Sequence, residues 1–353
     1  MFLILEYVVA KKKRKYKVIL AGCGGMSERW MDCRATRNNA EIVGFVDPFT
    51  SAAEKRANEY GVPNAVVGTN LAKVIKETQA DVLYDVSIPE AHYKNTLTAL
   101  SKGLHVMGEK PMADTLARGK KMVAAAKKSR RRYTVIQNRR YSQNIQILKN
   151  ALDSGIIGDV HTLQSDFRLG VHFGGFREDM DHPLILDMAI HTFDAARFLS
   201  GTNAEKVFCR AFNPAGSWYN HGASANAFFE MSKGVSYTYN GSWCSLGKNT
   251  TWECDWVIQG TKGAISWDGG DNFDCEVIVK KKGFKWPVKK KQVPLKFKKS
   301  LADGHNSNIQ DFFDAIRSGK KAMTDCADNI KSLAMVHGAI KSDKLGRLIP
   351  VQA

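Results

Sequence analysis

The sequence predicts an α/β N-terminal domain on an open parallel sheet, followed by an α+β C-terminal domain with a mainly antiparallel open sheet. From Lys17 to about Asn138, short apolar strands alternate with helical segments, as in a βαβ series. Beyond Asn138 the rhythm changes to longer strands bracketed by helices. The 353 residues are enough for two well-formed cores. The domains are read as residues 1–138 and 139–353, with residues 1–16 an extra N-terminal segment.

The first element is a buried strand, Val18-Ile19-Leu20-Ala21, running into the glycine turn Gly22-Cys23-Gly24-Gly25. A helix opens at Met26-Ser27, and a second strand, Ile42 to Val46, ends on Asp47. A strand feeding glycines and a helix puts backbone N–H groups at a helix N-terminus, where a pyrophosphate can sit. Gly22 suits the tight turn, and Gly24 lets the backbone approach the phosphates. Asp47 lies 23 residues beyond Gly24, where a carboxylate can accept hydrogen bonds from a ribose diol. The pattern is that of a dinucleotide-binding, Rossmann-like unit. One departure is Ser27, where Gly or Ala would allow the closest helix–strand packing.

Asp47 also favours NAD over NADP. A carboxylate about 4 Å from a 2′-phosphate costs on the order of 4 kcal/mol at an effective dielectric of about 20. Pro48-Phe49-Thr50-Ser51 bring no arginine to offset it, leaving only Lys55 or Arg56 to fold back.

The series continues with helices Ser51–Tyr60 and Leu71–Thr78, strand Val82–Val86 and the break Ser87-Ile88-Pro89. A helix then ends at Gly103, strand Leu104–Met107 runs into Glu109-Lys110-Pro111, and helix Leu116–Ser129 leads to strand Tyr133–Gln137. In the second domain, helices are expected at Ser142–Ser154 and Leu186–Leu199. Strands are expected at Ala204–Phe212, Ala225–Met231, Val235–Trp243, Thr250–Gln259, Ala264–Trp267 and Cys275–Val279. Helices Ser307–Ser318 and Cys326–Lys344 close the chain.

Composition is ordinary for a globular protein, with 44% hydrophobic and 25% charged residues. No apolar run approaches the ~18 residues of a membrane span. The apolar Met1–Ala10 stretch precedes its basic cluster, the reverse of a secretory signal, and reads as an extra strand or as a start-site artefact. Seven cysteines without a C-x-x-C pair make neither a disulfide framework nor a zinc site, and fit a reducing cytoplasm. The net charge of +17 is concentrated: residues 280–299 hold ten lysines and no acid, leaving +7 elsewhere. Val277 through Val293 reads as a lysine-studded β-hairpin turning near Gly283, with charges that block edge pairing. No recognition helix or aromatic-and-basic RNA pattern accompanies it, so neither a specific nucleic acid nor a membrane is expected as partner.

Three constellations fall at the carboxyl edge of the first sheet or opposite it. Glu109-Lys110-Pro111 follows a strand, so the Lys110 ammonium projects into the crevice where open α/β sheets bind ligands. There it can donate to a hydroxyl and stabilise a developing alkoxide. Asp187 and His191 stand at i and i+4 of a helix and share a face, with Asp194 a turn further. A histidine there can take an alcohol proton near neutral pH. With no third ligand at helical spacing, no metal site is read. Ser87-Ile88-Pro89 with His92 forms a strand-to-helix turn beside the cofactor crevice.

Taken together, these residues resemble the Gfo/Idh/MocA family, named for glucose–fructose oxidoreductase, inositol dehydrogenase and a rhizopine-catabolism protein. The resemblance runs from Lys17 to Val351. Its carriers are Gly22-Cys23-Gly24-Gly25-Met26, Val46-Asp47, Ser87 to His92, Gly108-Glu109-Lys110-Pro111, Gln137-Asn138-Arg139-Arg140-Tyr141 and Leu186 to Asp194. The resemblance implies oxidation of a ring carbinol of a sugar, cyclitol or polyol, with hydride passing to the nicotinamide. It implies that His191 is the acid–base, Lys110 binds the reacting hydroxyl, and Asp187 orients His191 or a neighbouring hydroxyl. Cofactor contacts are expected from Gly22, Gly24, Gly25, Met26, Asp47, Ser87, Pro89, His92, Glu109 and Lys110. Substrate contacts are expected from Asn138, Arg140, His172, Arg177, Asp187 and His191. The second domain's open sheet implies a homodimer or homotetramer. Ser87 departs from the threonine common before this proline, and the approach Gly174 to Pro183 is unusually charged. An alternative is a hydrolase or lyase that oxidises its sugar transiently through NAD.

Overall fold

The computed structural model describes residues 14–353; the Met1–Ala10 stretch lies outside them. The first half contains β1 (Tyr16–Ala21), α1 (Gly25–Asp32), α2 (Arg34–Asn39), β2 (Ala40–Val46), α3 (Thr50–Glu59) and β3 (Val66–Gly68). Then come α4 (Leu71–Thr78), β4 (Val82–Asp85), α5 (Pro89–Ser101), β5 (His105–Gly108), α6 (Leu116–Ser129) and β6 (Tyr133–Val135). The six strands pair in the order β3-β2-β1-β4-β5-β6, all parallel. Their run of buried apolar residues follows from helices covering both faces. The register aligns Ala21 with Val46 and Asp85, and Asp85 with Gly108. The residues that follow those four, Gly22, Asp47, Val86-Ser87 and Glu109-Lys110, therefore leave the sheet side by side. This edge, where β2 and β4 flank β1, is the switch point at which such sheets bind ligands.

The second half contains α7 (Gln143–Asp153), β7 (Val160–Arg168), α8 (Ile190–Ser200), β8 (Ala204–Phe212), β9 (Ser224–Met231) and β10 (Ser236–Ser242). Next come β11 (Asp255–Gly260), β12 (Gly263–Trp267), β13 (Phe273–Ile278), β14 (Val288–Lys290), α9 (Gly304–Ser318), α10 (Cys326–Leu345) and β15 (Ile349–Pro350). Nine strands form a mixed sheet in the order β14-β13-β12-β11-β7-β10-β9-β8-β15, in which only the β7–β10 pair is parallel. Its inner face packs with Ile190, Phe193 and Leu199 of α8 and with Met335 and Val336 of α10 into one core. Alternate residues point the other way, leaving Phe208, Phe212 and Phe228 at 43%, 44% and 39% exposure on the open face. α9 and the first half of α10 return to the first sheet: Ile309, Phe312 and Phe313 join one of its cores, and Cys326, Ile330 and Leu333 join the other.

The lysine-rich segment forms the expected hairpin, with Ile278 opposite Val288 and Glu276 opposite Lys290. Among the described residues, no helix is long and apolar enough to cross a membrane. Several elements differ from expectation. The strand pattern missed β7, the middle of the second sheet, because Ser165 occupies an inward position between Leu163 and Phe167 and breaks the apolar alternation. β3 is only three residues long, and α2 is a six-residue turn after Cys33. The strand expected from Thr250 begins at Asp255. The helix expected over Leu186–Leu199 is a π-helical turn, Leu184–Ala189, running into α8. Such wide turns are frequent at functional sites.

Candidate functional site

The glycine turn is built by two different demands. Gly22 has φ +89°, and a Cβ there would lie 2.5 Å from the Ser87 nitrogen and the Val86 carbonyl group. Only glycine fits so close to the neighbouring strand end. At Gly24 and Gly25, by contrast, a Cβ would meet nothing within 4 Å. The protein itself makes no use of the space above them, and no side chain caps α1. The N-terminal N–H groups of a helix need an acceptor, so this open cradle fits a pyrophosphate. Met26 stands at its rim, 47% exposed. Ser27 fits its tight position because its buried hydroxyl donates to the Gly24 carbonyl at 2.6 Å.

Asp47 closes the turn from the side. Its carboxylate accepts from the Cys23 N–H and the Phe49 N–H, both at 2.9 Å. Arg56, one of two cations able to answer a 2′-phosphate, is committed elsewhere. It is 5% exposed, donates to the Cys23 and Gly24 carbonyls, and pairs with Glu28 and Glu59. Lys55 lies 3.8 Å from Glu59. The charge at this strand end therefore suits a free ribose diol.

Ser87, Pro89, His92 and Glu109 shape the next two loops. Pro89 is the first residue of α5, and Ser87 donates to the buried Asp85 carboxylate at 2.5 Å. The His92 ring nitrogens lie 2.9 Å from the Ser87 oxygen and 3.0 Å from the Pro111 oxygen, tying the two loops together. Glu109 accepts from Trp30 Nε1 at 2.8 Å and from the Lys110 N–H at 3.1 Å. Burial pushes its carboxyl up, against the pull of Trp30 and Lys110. His92 and Glu109 thus hold the loops with atoms already used inside the protein. The Lys110–Pro111 bond is cis.

Lys110 reaches across to the second half of the chain. Its Nζ donates to Asp187 Oδ1 at 2.7 Å and to the Asp187 carbonyl at 2.9 Å. Arg177 Nε donates to the other Asp187 oxygen at 2.8 Å. Burial alone would raise the Asp187 carboxyl; Lys110 and Arg177 outweigh it and hold it at about 2. His191 stands one wide turn further along. Burial, then the charges of Arg139, Lys110 and His305, push its ring well below the ordinary histidine value, so it is neutral at pH 7. No hydrogen bond joins Asp187 to His191; the imidazole Nδ1 meets the side-chain amide of Gln137 at 3.2 Å.

Not every expected substrate contact joins this group. Arg140 is 5% exposed and makes a bidentate pair with Asp194, at 2.6 and 2.7 Å, besides meeting Asp328 at 2.8 Å. Its guanidinium is therefore a buried structural cation, and Asp194 is its counter-ion instead of a continuation of the Asp187 stripe. His172 stacks on Trp218 with ring centroids 3.7 Å apart, on the same loop as Arg177. Asn138 lies on the wall of a cleft of about 820 Å³ with Gly25, Arg29 and His305. Arg29 and His305 escaped the sequence reading, and Gln137 entered it only as a strand end and motif residue, with no site role. Gln137 ends the β6 segment much as Lys110 follows β5, so the same strand-end rule pointed to it. His305, in the first turn of α9, carried no local signal. Burial, with Arg29 and Lys110, lowers its ring to about 4.

Comparison with known proteins bears on this geometry. Residues 16–137 match the profile described as oxidoreductase family, NAD-binding Rossmann fold, and residues 145–266 match that of the GFO/IDH/MocA C-terminal domain. The uncharacterized protein y4oX of Sinorhizobium fredii is 28% identical over 353 residues, covering 96% of each chain. D-glucoside 3-dehydrogenase of Escherichia coli is 29% identical over 208 residues, covering 57% of this chain and 59% of its own. A solved oxidoreductase of Agrobacterium radiobacter, in complex with NAD+, L-tartaric acid and magnesium, superposes with a TM-score of 0.80. It is 22% identical and covers 96% of this chain and 99% of its own.

Proposed function

The chain belongs to the GFO/IDH/MocA family of oxidoreductases, and on that premise we propose that it is an NAD-dependent dehydrogenase acting on a ring carbinol of a sugar, cyclitol or polyol. The observation that carries this reading is the Lys110–Asp187 contact at 2.7 Å, with His191 one turn away, beside the open glycine cradle. NAD, when bound, supplies the hydride acceptor, and in reduced form the donor for the reverse reaction. Gly24, Gly25 and the α1 N-terminus would hold its pyrophosphate, and Asp47 its ribose diol. Lys110 binds the reacting hydroxyl and favours its alkoxide. His191 takes the hydroxyl proton, which its neutral ring is ready to accept at pH 7. Asp187 keeps Lys110 in place and has lone pairs left for a second hydroxyl. Asn138, His172 and Arg177 contact the rest of the ring; several polar donors and acceptors suit a polyol better than an apolar ketone.

The sugar chemistry named in the Escherichia coli relative, D-glucoside 3-dehydrogenase, supports this substrate class. The exposed phenylalanines of the nine-stranded sheet support a homodimer or homotetramer through that face, and the seven unpaired cysteines support a cytoplasmic location. The test is absorbance at 340 nm with purified protein, NAD, and a panel of inositols, aldoses and anhydro sugars. NADH formation with a member of the panel is the expected result. Silence across the panel with NAD bound would overturn the dehydrogenase reading.

A further inference from the structure

A neutral imidazole has one N–H and one lone pair, so His191 can take a proton at one nitrogen only if the other already carries one. Gln137 Nε2 lies 3.2 Å from His191 Nδ1, and Gln137 Oε1 accepts from Asn329 Nδ2 at 3.3 Å, which leaves the buried Asn329 Oδ1 without a partner. Gln137 is fully buried, Asn329 is 1% exposed and His191 9% exposed, so this chain of contacts is sealed from solvent. Nε2 has no hydrogen-bond partner among the described residues and is not among the sealed, unpartnered atoms. It is the nitrogen left to face the crevice.

A side-chain amide places its oxygen and nitrogen at equivalent positions, so these two contacts serve two arrangements. If Gln137 turns its nitrogen to Nδ1, the ring proton sits on Nε2 and no lone pair faces a carbinol. If Gln137 turns its oxygen to Nδ1, the proton sits there, Nε2 is free to accept, and the Gln137 nitrogen donates to Asn329 Oδ1. Each arrangement leaves one polar atom of Asn329 without a protein partner, so the chemistry at Nε2 decides. We propose that Gln137, held by Asn329, is a positioning residue that accepts from His191 Nδ1–H and thereby keeps the Nε2 lone pair turned to the reacting carbinol. This rests on the reading of His191 as the acid–base. The carbinol proton passes to Nε2, while the Nδ1 proton stays in its bond to Gln137 before and after the transfer.

The experiment is a long-range proton–nitrogen correlation spectrum of the full chain labelled with ¹⁵N-histidine at pH 8, with His191 assigned from His191→Ala. The expected spectrum shows the Nδ1–H tautomer. Gln137→Glu should keep it, because a carboxylate can only accept. Gln137→Met should shift the ring toward Nε2–H and lower kcat about tenfold or more with KM little changed, and Gln137→Glu should recover most of that loss. An Nε2–H tautomer in the parent chain overturns the proposal, as does an unchanged Nδ1–H tautomer in Gln137→Met. Should Gln137→Met not fold, the parent and Gln137→Glu spectra still decide. If His191→Ala keeps its turnover, the acid–base reading fails, while the spectra still report whether Gln137 sets the tautomer.

Discussion

Lys110 grips Asp187 twice, at the carboxylate (2.7 Å) and at the backbone carbonyl (2.9 Å), and so ties the end of a parallel strand to the π-helical turn of the second sheet's helix layer. The double contact fixes the ammonium beside His191 and sets the position at which a hydroxyl can be bound. Lys110→Ala and His191→Ala should each lower kcat by about a hundredfold or more. Steady-state kinetics checks this; near-normal rates in both variants would remove these residues from the chemistry.

The two glycine demands separate in experiment. Gly22→Ala forces a Cβ to 2.5 Å from the backbone at Val86 and Ser87, at a left-handed φ of +89°. It should cost more than about 1 kcal/mol of stability. Gly24→Ala meets no protein atom within 4 Å. It should leave the melting temperature nearly unchanged and weaken NAD. Thermal melts paired with calorimetric NAD titration distinguish the two.

Asp47→Ala should weaken NAD and narrow its advantage over NADP, since the like-charge contact with a 2′-phosphate is gone. Because Arg56 is held by Glu28, Glu59 and two turn carbonyls, the loss should not by itself create strong NADP binding. The ratio of kcat/KM for the two cofactors is the readout.

The pH dependence has a definite sign. A base must be unprotonated to work, and His191 titrates well below its ordinary value of 6.5, through burial and the facing charges of Arg139, Lys110 and His305. The acid limb of kcat/KM should therefore fall below pH 6.5. Stability moves the same way: His105 and His305, lowered to about 4, stay neutral in the fold while the unfolded chain takes protons near 6.5. Stability should be complete above pH 6.5 and decline as pH falls from there toward 4.

Asp194→Ala should act on the fold. It leaves the buried Arg140 guanidinium without its bidentate partner, a change worth about 3–5 kcal/mol. Denaturant unfolding should show the loss, and any activity that survives should have a nearly unchanged KM.

What was legible in the sequence follows from locality. The glycine turn, Asp47 and Lys110 were readable because each follows a short apolar strand, and parallel register then brings strand ends together. Asp187 and His191 were readable from helical spacing. β7 was not, because its inward Ser165 pairs with the Tyr237 hydroxyl, a tertiary solution that a polarity pattern does not carry. Arg140 was expected as a substrate contact because it lies in the motif Gln137–Tyr141 that carries the family resemblance, yet its partner Asp194 lies 54 residues away. His305 reaches the site only because α9 folds back onto the first sheet.

The most direct measurement is the fate of deuterium placed on the reacting carbon of whichever panel substrate yields NADH. Nuclear magnetic resonance of the isolated reduced nicotinamide should find the deuterium at C4, and its rate of appearance should collapse in Lys110→Ala and His191→Ala. Deuterium lost to solvent, or transfer undiminished in both variants, would contradict hydride transfer at the Lys110–Asp187–His191 site.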